Sequence, residues 1–314
     1  MSRSALSRTV ESLTGEVARL EAGENAALVS LREDPAFVMT AAGLDPDPWQ
    51  RALLAAPPER ALLLCTRQAG KSTTTAALAC REALIRPQTV LLVAPALRQS
   101  QELFRKLTDF YEALGGPDGP PVAATASSAL RLELANGSRI IALPGSEKTI
   151  RGFSAVDLLI LDEASRIEDA LYYAVRPMLA VSGGRLVAMT TPFGKRGFFF
   201  DEWSRANADD GANLSAGADL GSDADPWRRI KVTAYDCPRI SEGFLDEERQ
   251  ALGAWWFKQE YLCEFADTID SLFRTEDIMA AFSSDIAPLF GQGATLPSVS
   301  PSDPRSADVE RLIV

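Results

Sequence analysis

The stretch ALLLCTRQAGKSTTTAALACREALI, residues 61–85, decides the fold of this 314-residue chain. An apolar run at 61–65 is followed by a short polar loop and then by a helical pattern. The loop matches G-x-x-x-x-G-K-[ST], except that Cys65 replaces the first glycine. Because backbone N–H groups at a helix N-terminus can surround phosphate oxygens, the order strand, loop, helix predicts a phosphate-binding loop.

The residues of this loop have distinct predicted roles. Lys71 can bridge the β- and γ-phosphates of a nucleotide, and the Ser72 hydroxyl can bind Mg²⁺. Arg67 could place its planar guanidinium against the γ-phosphate and stabilise charge there. Other loop residues would complete the phosphate cradle: Gln68, Ala69, Gly70 and Thr73. The structural alternatives are a helix start without a ligand and, for Arg67, a salt bridge that holds the loop.

A second apolar run, LLILDE at 158–163, ends in two adjacent carboxylates. Open α/β sheets bind ligands at the carboxyl ends of their strands. Two unpaired carboxylates beside a core strand are costly unless they meet a cation or transfer a proton. The pattern therefore predicts that Asp162 binds Mg²⁺ and that Glu163 orients and activates the attacking water. For the pair alone, the alternative is a helix cap on the surface.

Further apolar runs, TVLLVAP at 89–95 and GRLVAMTTP at 184–192, alternate with helical patterns near 72–86, 98–114 and 167–181. Continuous apolar strands separated by helices indicate a parallel sheet covered on both faces. The predicted fold class is α/β, a P-loop NTPase of the RecA/ASCE type with a mostly parallel sheet sandwiched by helices. The alternating segment at 129–144 around Asn136-Gly137 predicts an antiparallel hairpin.

The chain outside these strands divides by composition. The expected segments are a helical lead-in outside the core at 1–45, the ATPase core at 46–240, a small C-terminal lid and linker subdomain at 241–290, and a disordered tail at 291–314. Residues 207–225, rich in Gly, Ala and Asp, are expected to form an acidic surface loop. The segment 241–265 predicts one or two helices, and its aromatic side chains are interpreted mainly as the core of the lid.

Composition excludes several classes of chemistry. The chain has no histidine, so mechanisms that rest on imidazole are excluded. Its four cysteines are widely spaced, which disfavours a zinc ribbon or a disulfide framework and favours small buried side chains. A net charge of −11 argues against a general nucleic-acid coat. Without a long apolar stretch or a signal peptide, the expected location is the cytoplasm, away from membranes.

Taken together, the motifs resemble the ATPase domain of the large terminase subunit, the motor that packages DNA into tailed-phage capsids. The resemblance covers about residues 45–290. It is carried by DPWQRALL (47–54), CTRQAGKS (65–72), TIRGFSAVDLLILDEASRI (149–167), TTPFGKRGFFFDEW (190–203) and WWFKQEYLCEFAD (255–267). In that family the loop typically carries an arginine, and another residue often takes the place of the first glycine.

The resemblance implies Mg²⁺-dependent ATP hydrolysis that moves double-stranded DNA into a viral procapsid without reading its sequence. It also implies a homo-oligomeric ring, a portal protein and a small terminase subunit as partners, in the host cytoplasm of a phage or prophage. Trp49 and Gln50 would contact adenine, Thr191 would belong to a motif that couples hydrolysis to movement, and Arg151 would be a sensor or an intersubunit residue. Candidate contacts to DNA phosphates are Arg98, Arg105, Lys106, Lys195 and Arg196, although solvated charge is the favoured alternative for each one.

The chain also departs from the family pattern. Large terminases carry a C-terminal nuclease domain, and the 49 residues after Phe265 are too few to hold one, so no nuclease activity is expected from this chain. Two alternatives to a DNA-packaging motor stay open. One is a non-hydrolysing or truncated terminase remnant that serves in assembly. The other is a superfamily-2 helicase-like ATPase, which needs a second RecA-like domain.

Overall fold

A single eight-stranded sheet organises the part of the chain that the structure describes. The computed structural model describes residues 25–116, 119–145, 150, 152–209 and 227–266, with only the backbone described at 206–209. The strands are β1 Arg60–Cys65, β2 Thr89–Ala94, β3 Ala124–Ser128, β4 Arg131–Leu134, β5 Arg139–Pro144, β6 Leu158–Asp162, β7 Arg185–Thr190 and β8 Trp227–Val232. Strands β2 and β6 are buried along their whole length, as continuous apolar runs predict.

The strand order is β3-β4-β5-β2-β6-β7-β1-β8. Every pairing from β5 to β8 is parallel, whereas β3, β4 and β5 pair antiparallel. Strand β7 lies between β1, which leads into the phosphate loop, and β6, which ends in the carboxylates. All three strands point their carboxyl ends to the same edge, so the sheet places the motifs of all three together.

Helices cover both faces of the sheet. They are α1 Ala26–Glu33, α2 Phe37–Thr40, α3 Pro48–Ala55, α4 Lys71–Ile85, α5 Leu97–Ala113, α6 Asp169–Val175, α7 Gly197–Asp209 and α8 Glu242–Tyr261, with 3₁₀ turns at Ala164–Arg166, Arg176–Leu179 and Ala234–Asp236. One apolar cluster joins the sheet to α4 and α5, and a second joins the opposite face to α6 and α7. The predicted α/β sandwich is therefore confirmed.

The hairpin predicted around Asn136-Gly137 joins β4 to β5. Gly137 has a φ of 90°, a conformation that glycine adopts without strain. The Asn136 side-chain amide donates a 2.8 Å hydrogen bond to the Ala83 carbonyl of α4. This bond ties the turn to the end of the helix that follows the phosphate loop.

The first described helices belong to the core. Leu31, Val38 and Met39 are fully or almost fully buried in the cluster that also holds α4. Arg81 of α4 donates a 3.0 Å hydrogen bond to the Leu31 carbonyl. The expectation of a lead-in outside the core for residues 1–45 is therefore corrected for 31–39. The sequence missed it because short helices without a long periodic stretch leave little pattern.

The segment predicted as one or two helices forms α8, which is kinked at Gly253 (φ 74°, ψ 168°). Leu245 and Phe257 of α8 pack against Ala234 in a small cluster of their own. Helix α7 continues to Asp209, into the start of the acidic loop predicted at 207–225. The rest of that loop, residue 151 and the tail at 291–314 lie outside the described residues.

The described cysteines are free and buried, which agrees with the sequence interpretation. Among the described helices, none combines the length and apolar character needed to cross a bilayer.

Candidate functional site

The phosphate loop connects Cys65, the last residue of β1, to Lys71, the first residue of α4. Gln68 and Gly70 adopt positive φ angles of 62° and 88°. A Cβ on Gly70 would come within 2.6 Å of the Gln50 side-chain nitrogen, so this position needs glycine for two reasons. Cys65, in contrast, lies in the extended backbone of a strand, which any residue adopts. This explains why the first glycine of the motif can be replaced here.

The loop helix and the acidic strand meet although β7 lies between their strands. The ammonium nitrogen of Lys71 is 3.3 Å from Oε1 of Glu163, and both side chains are largely buried. The Ser72 hydroxyl donates a 3.3 Å hydrogen bond to Oδ2 of Asp162. The structure thus brings together the residues that the sequence proposed for phosphate, metal and water.

Glu163 has an unusual backbone. Its φ of 50° and ψ of 45° place it in the left-handed region, which is strained for a residue other than glycine. Its N–H donates a 2.9 Å hydrogen bond to the Asp162 carboxylate, and this local bond stabilises the turn. Such strain is concentrated at functional sites, where it aims a side chain, here toward Lys71.

Asp162 is a buried carboxylate. Burial, reinforced by the nearby charge of Glu163, raises the pKa of Asp162 to about 6, against the opposing influence of Lys71, the Glu163 N–H and the Ser72 hydroxyl. A buried carboxylate next to a hydroxyl suits a hard cation such as Mg²⁺, which takes one or two protein oxygens and completes its shell with phosphate and water. Among the described residues there is no cluster of three or more potential metal ligands, consistent with a site that needs phosphate oxygens.

Thr190 and Thr191 follow β7 and therefore lie between the phosphate loop and the carboxylates. Thr191 is buried. The Thr190 hydroxyl donates a 2.7 Å hydrogen bond to the Thr191 carbonyl and accepts one of 3.3 Å from the Ser165 N–H. Just beyond, the Phe193 ring packs against the Arg166 guanidinium at 4.0 Å. These contacts connect the turn after β7 to the turn after Glu163.

Arg67 points away from the Lys71–Glu163 pair. Its Nε lies 2.5 Å from Oε2 of Glu260 on α8, and this hydrogen bond raises the pKa of the guanidinium. The Thr66 hydroxyl donates a 2.7 Å hydrogen bond to the Glu260 carbonyl. The contact that holds the loop, one of the two alternatives for Arg67, is thus present. The predicted role at the γ-phosphate stays a prediction and requires Arg67 to leave Glu260.

Trp49 and Gln50 lie on α3, and the structure places them differently. Gln50 is buried beside Gly70, and its side-chain oxygen accepts a 2.8 Å hydrogen bond from the Asp47 N–H. Trp49 packs partly buried against the core, and its indole N–H has no hydrogen-bond partner among the described residues. Gln50 is therefore next to the loop, whereas the adenine contact of Trp49 stays a prediction.

A cavity of about 450 Å³ opens beside the loop. Its lining combines loop residues, the segment that leads into α8, and α8 itself: Arg67, Gln68, Arg239, Ile240, Ser241, Phe244 and Tyr261. Arg239 forms a two-pronged ion pair with Asp47, with bonds of 2.8 and 2.7 Å. Sequence reasoning missed Arg239 and Phe244 as site residues because no motif marks them. It assigned Tyr261 to the lid core.

A second cavity, of about 310 Å³, lies on the side of the carboxylates. Ser72, Asp162 and Glu163 form one wall, and α5 forms the other with Arg98, Gln99, Glu102, Leu103 and Lys106. The sequence grouped Arg98, Arg105 and Lys106 as candidate DNA contacts. The structure separates them, because Arg105 does not line this cavity and instead pairs with Glu102 at 2.7 Å and with Asp109 at 3.6 Å.

The family follows from comparison with known proteins. Residues 62–280 match the family described as terminase large subunit, T4likevirus-type, N-terminal. This chain belongs to the terminase large subunit family. A comparison with curated protein sequences finds no match.

Solved terminase structures share the fold. The ATPase domain of the large terminase of Thermus phage P74-26 matches with 20% identity and a TM-score of 0.57, over 73% of this chain and 97% of that one. The full large terminase of another thermophilic bacteriophage matches with 13% identity and a TM-score of 0.56, over 70% and 54%. The HK97 large terminase matches with 16% identity and a TM-score of 0.51, over 71% and 51%. The chain thus spans about half the length of the last two proteins.

Proposed function

We propose that this terminase chain hydrolyses ATP with the help of Mg²⁺ and that hydrolysis drives double-stranded DNA into a phage procapsid. The observation that carries the proposal is the convergence of Lys71 with Glu163 and of Ser72 with Asp162, each at 3.3 Å, at the carboxyl edge of the sheet. A protein that only binds nucleotide has no need of a carboxylate at the position of Glu163. This favours hydrolysis over a purely structural role in assembly.

The chain's own groups account for the steps of hydrolysis. Backbone N–H groups at the start of α4 bind the phosphates, and Lys71 exchanges Glu163 for a phosphate oxygen when the nucleotide enters. Glu163, released from Lys71, orients the attacking water and accepts its proton. Ser72 and Asp162 would hold Mg²⁺, which supplies positive charge to the β- and γ-phosphates. Thr191 faces the γ-phosphate from the end of β7.

The base end of the nucleotide fits the larger cavity. Gln68 and Arg239 offer polar groups there, and Phe244 and Tyr261 offer aromatic surface for a flat base. Gln50 lies behind Gly70 at the same end of the loop. The full-length terminase of the second thermophilic phage, which shares the fold, has been solved with ATP-gamma-S and with ADP.

The partners in this proposal rest on the family. They are double-stranded DNA, bound without sequence preference, together with a portal protein, a small terminase subunit and further copies of the chain in a ring. The proposed domain division, with the ATPase core at 46–240 and the lid and linker at 241–290, is part of the same proposal. So is the location in the host cytoplasm.

The test is steady-state ATP hydrolysis by the intact chain with and without duplex DNA, at low and high salt. Glu163→Gln should lower the rate by about 10²–10⁴-fold while nucleotide binding persists, because it removes the base that orients water. Glu168→Gln, an exposed glutamate of the same region, serves as the matched control and should hydrolyse at the wild-type rate. Equal rates in the wild type and Glu163→Gln would contradict the proposal.

A further inference from the structure

The smaller cavity beside the carboxylates joins the proposed hydrolysis site to helix α5. Ser72, Asp162 and Glu163 line its inner wall, and Arg98 and Lys106 lie on the α5 wall. It shares no lining residue with the larger cavity that fits the base. The two cavities therefore give the two ends of a bound nucleotide separate surroundings.

The charges of this cavity are unevenly compensated. Each carboxylate in its lining is already engaged: Glu102 by Arg105, Glu163 by Lys71, and Asp162 by the Ser72 hydroxyl and the Glu163 N–H. In contrast, neither Arg98 nor Lys106 forms an ion pair within the described ranges. Two uncompensated cations that face a phosphate-binding loop favour a small anion in the space between them.

We propose that this cavity is a subsite for inorganic phosphate, in which Arg98 and Lys106 hold the phosphate that hydrolysis releases. The inference rests on the proposed function. In hydrolysis, the oxygen of water bonds to the γ-phosphorus and the bond from that phosphorus to the bridging oxygen breaks. The bridging oxygen leaves with ADP, and the water proton passes to Glu163. The product phosphate then lies next to Ser72 and Glu163, at the mouth of this cavity.

The position of the two cations also says why they would bind phosphate rather than DNA. The inner wall of the cavity carries Asp162 and Glu163, which would repel a polyanion that approached from outside. A small anion that comes from the loop meets Lys106, which is half-buried, before the exposed Arg98. The residues thus form a path from the site of bond cleavage to solvent, while ADP stays bound through its base.

The test measures the binding of inorganic phosphate to the intact chain loaded with ADP and Mg²⁺, by titration calorimetry. Arg98→Ala and Lys106→Ala should each raise the dissociation constant for phosphate about tenfold or more, because each removes a charge-assisted hydrogen bond. The dissociation constant for ADP should stay unchanged in both variants. Arg105→Ala is the matched control: it removes an arginine from the same helix, one outside the cavity, and should leave phosphate binding unchanged.

The outcomes separate this inference from the proposed function. Normal ADP binding with no phosphate binding, or with equal phosphate affinity in all variants, overturns the subsite and leaves the ATPase proposal standing. A wild-type chain that binds no ADP overturns both. Arg98→Ala or Lys106→Ala with weaker duplex DNA binding and unchanged phosphate binding assigns these residues to DNA and overturns the subsite.

Discussion

Asp162 combines burial with negative charge, and this combination has a cost before any ligand binds. The ionised carboxylate loses solvation in the core, which is why its pKa rises to about 6. A cation bound by the Ser72 hydroxyl and this carboxylate would offset that cost. The same burial that weakens the unliganded protein therefore favours metal binding.

This cost makes stability depend on pH in a defined direction. Between the ordinary carboxyl pKa of 3.8 and about 6, the folded chain binds more protons at Asp162 than the unfolded chain. Stability therefore falls as pH rises through this window and stays lower above it, by about 3 kcal/mol. Asp162→Asn should stabilise the metal-free protein at pH 8 by up to this amount, and the gain should shrink to nothing below pH 4.

The measurement is urea unfolding of both proteins from pH 4 to 8 in the presence of a chelator. Asp109→Asn, at an exposed carboxylate, should show a difference from wild type that does not follow this window. A gain from Asp162→Asn that is the same at pH 4 and pH 8 would contradict the assignment of the shift to Asp162.

Gly70 and Gly43 separate the two reasons for a glycine in the phosphate loop. Both have positive φ angles, 88° and 74°, but a Cβ on Gly43 would meet nothing within 4 Å. Gly43→Ala should therefore cost only the backbone strain, about 1–2 kcal/mol. Gly70→Ala should cost more and should also weaken nucleotide binding, because Gln50 must move.

Chemical unfolding and ADP titration of both variants test this difference. Gly70→Ala combined with Gln50→Ala should recover part of the lost stability, since the shortened side chain leaves room for the Cβ. Equal destabilisation by the two single substitutions would show that crowding by Gln50 has no effect.

Helix α8 is fastened to the phosphate loop at two points. The Thr66 hydroxyl binds the Glu260 carbonyl, and Arg67 binds the Glu260 carboxylate. A γ-phosphate that attracts Arg67 would break the second contact and keep the first. The loop would then report the presence of ATP to α8 through a single side chain.

Glu260→Gln tests this connection. It weakens the hold on Arg67 and should tighten the binding of ATP relative to ADP by roughly twofold to fivefold, a small effect because Arg67 is largely exposed. The readout is the ratio of the two dissociation constants. Glu264→Gln, at a more distant exposed pair with Lys258, is the control. An unchanged ratio in Glu260→Gln would mean that Arg67 serves only to hold the loop.

Contiguous signals were readable from the sequence, and assembled ones were not. The strands, the phosphate loop, the hairpin at Asn136-Gly137 and the carboxylate pair each occupy one stretch of chain, so periodicity and motif spacing reveal them. The partners Arg239, Phe244 and Glu260 come from distant segments, and only the position of β8 next to β1 brings them to the loop. Likewise, which face of α5 carries Arg98 and Lys106 to the carboxylates follows from the pairing of β2 with β6.

The charge of the whole chain limits how it can hold DNA. With a net charge of −11, the protein repels a polyanion at long range, so contacts must come from local basic groups. Lys195 and Arg196 follow the β7 threonines, and the Arg196 guanidinium stacks at 5.3 Å on Phe193. This position would connect DNA phosphates directly to the turn that faces the γ-phosphate.

The dependence of DNA affinity on salt concentration tests whether these groups touch DNA phosphates. Each phosphate contact contributes about −0.9 to the slope of log affinity against log salt concentration. Substituting both Lys195 and Arg196 by Ala should therefore make the slope shallower by about 2. Lys258→Ala, at an exposed lysine of α8, should leave it unchanged. A double variant with the wild-type slope would place the DNA on another surface. A shallower slope without loss of DNA-stimulated hydrolysis would show that these residues bind DNA but do not couple it to the ATPase site.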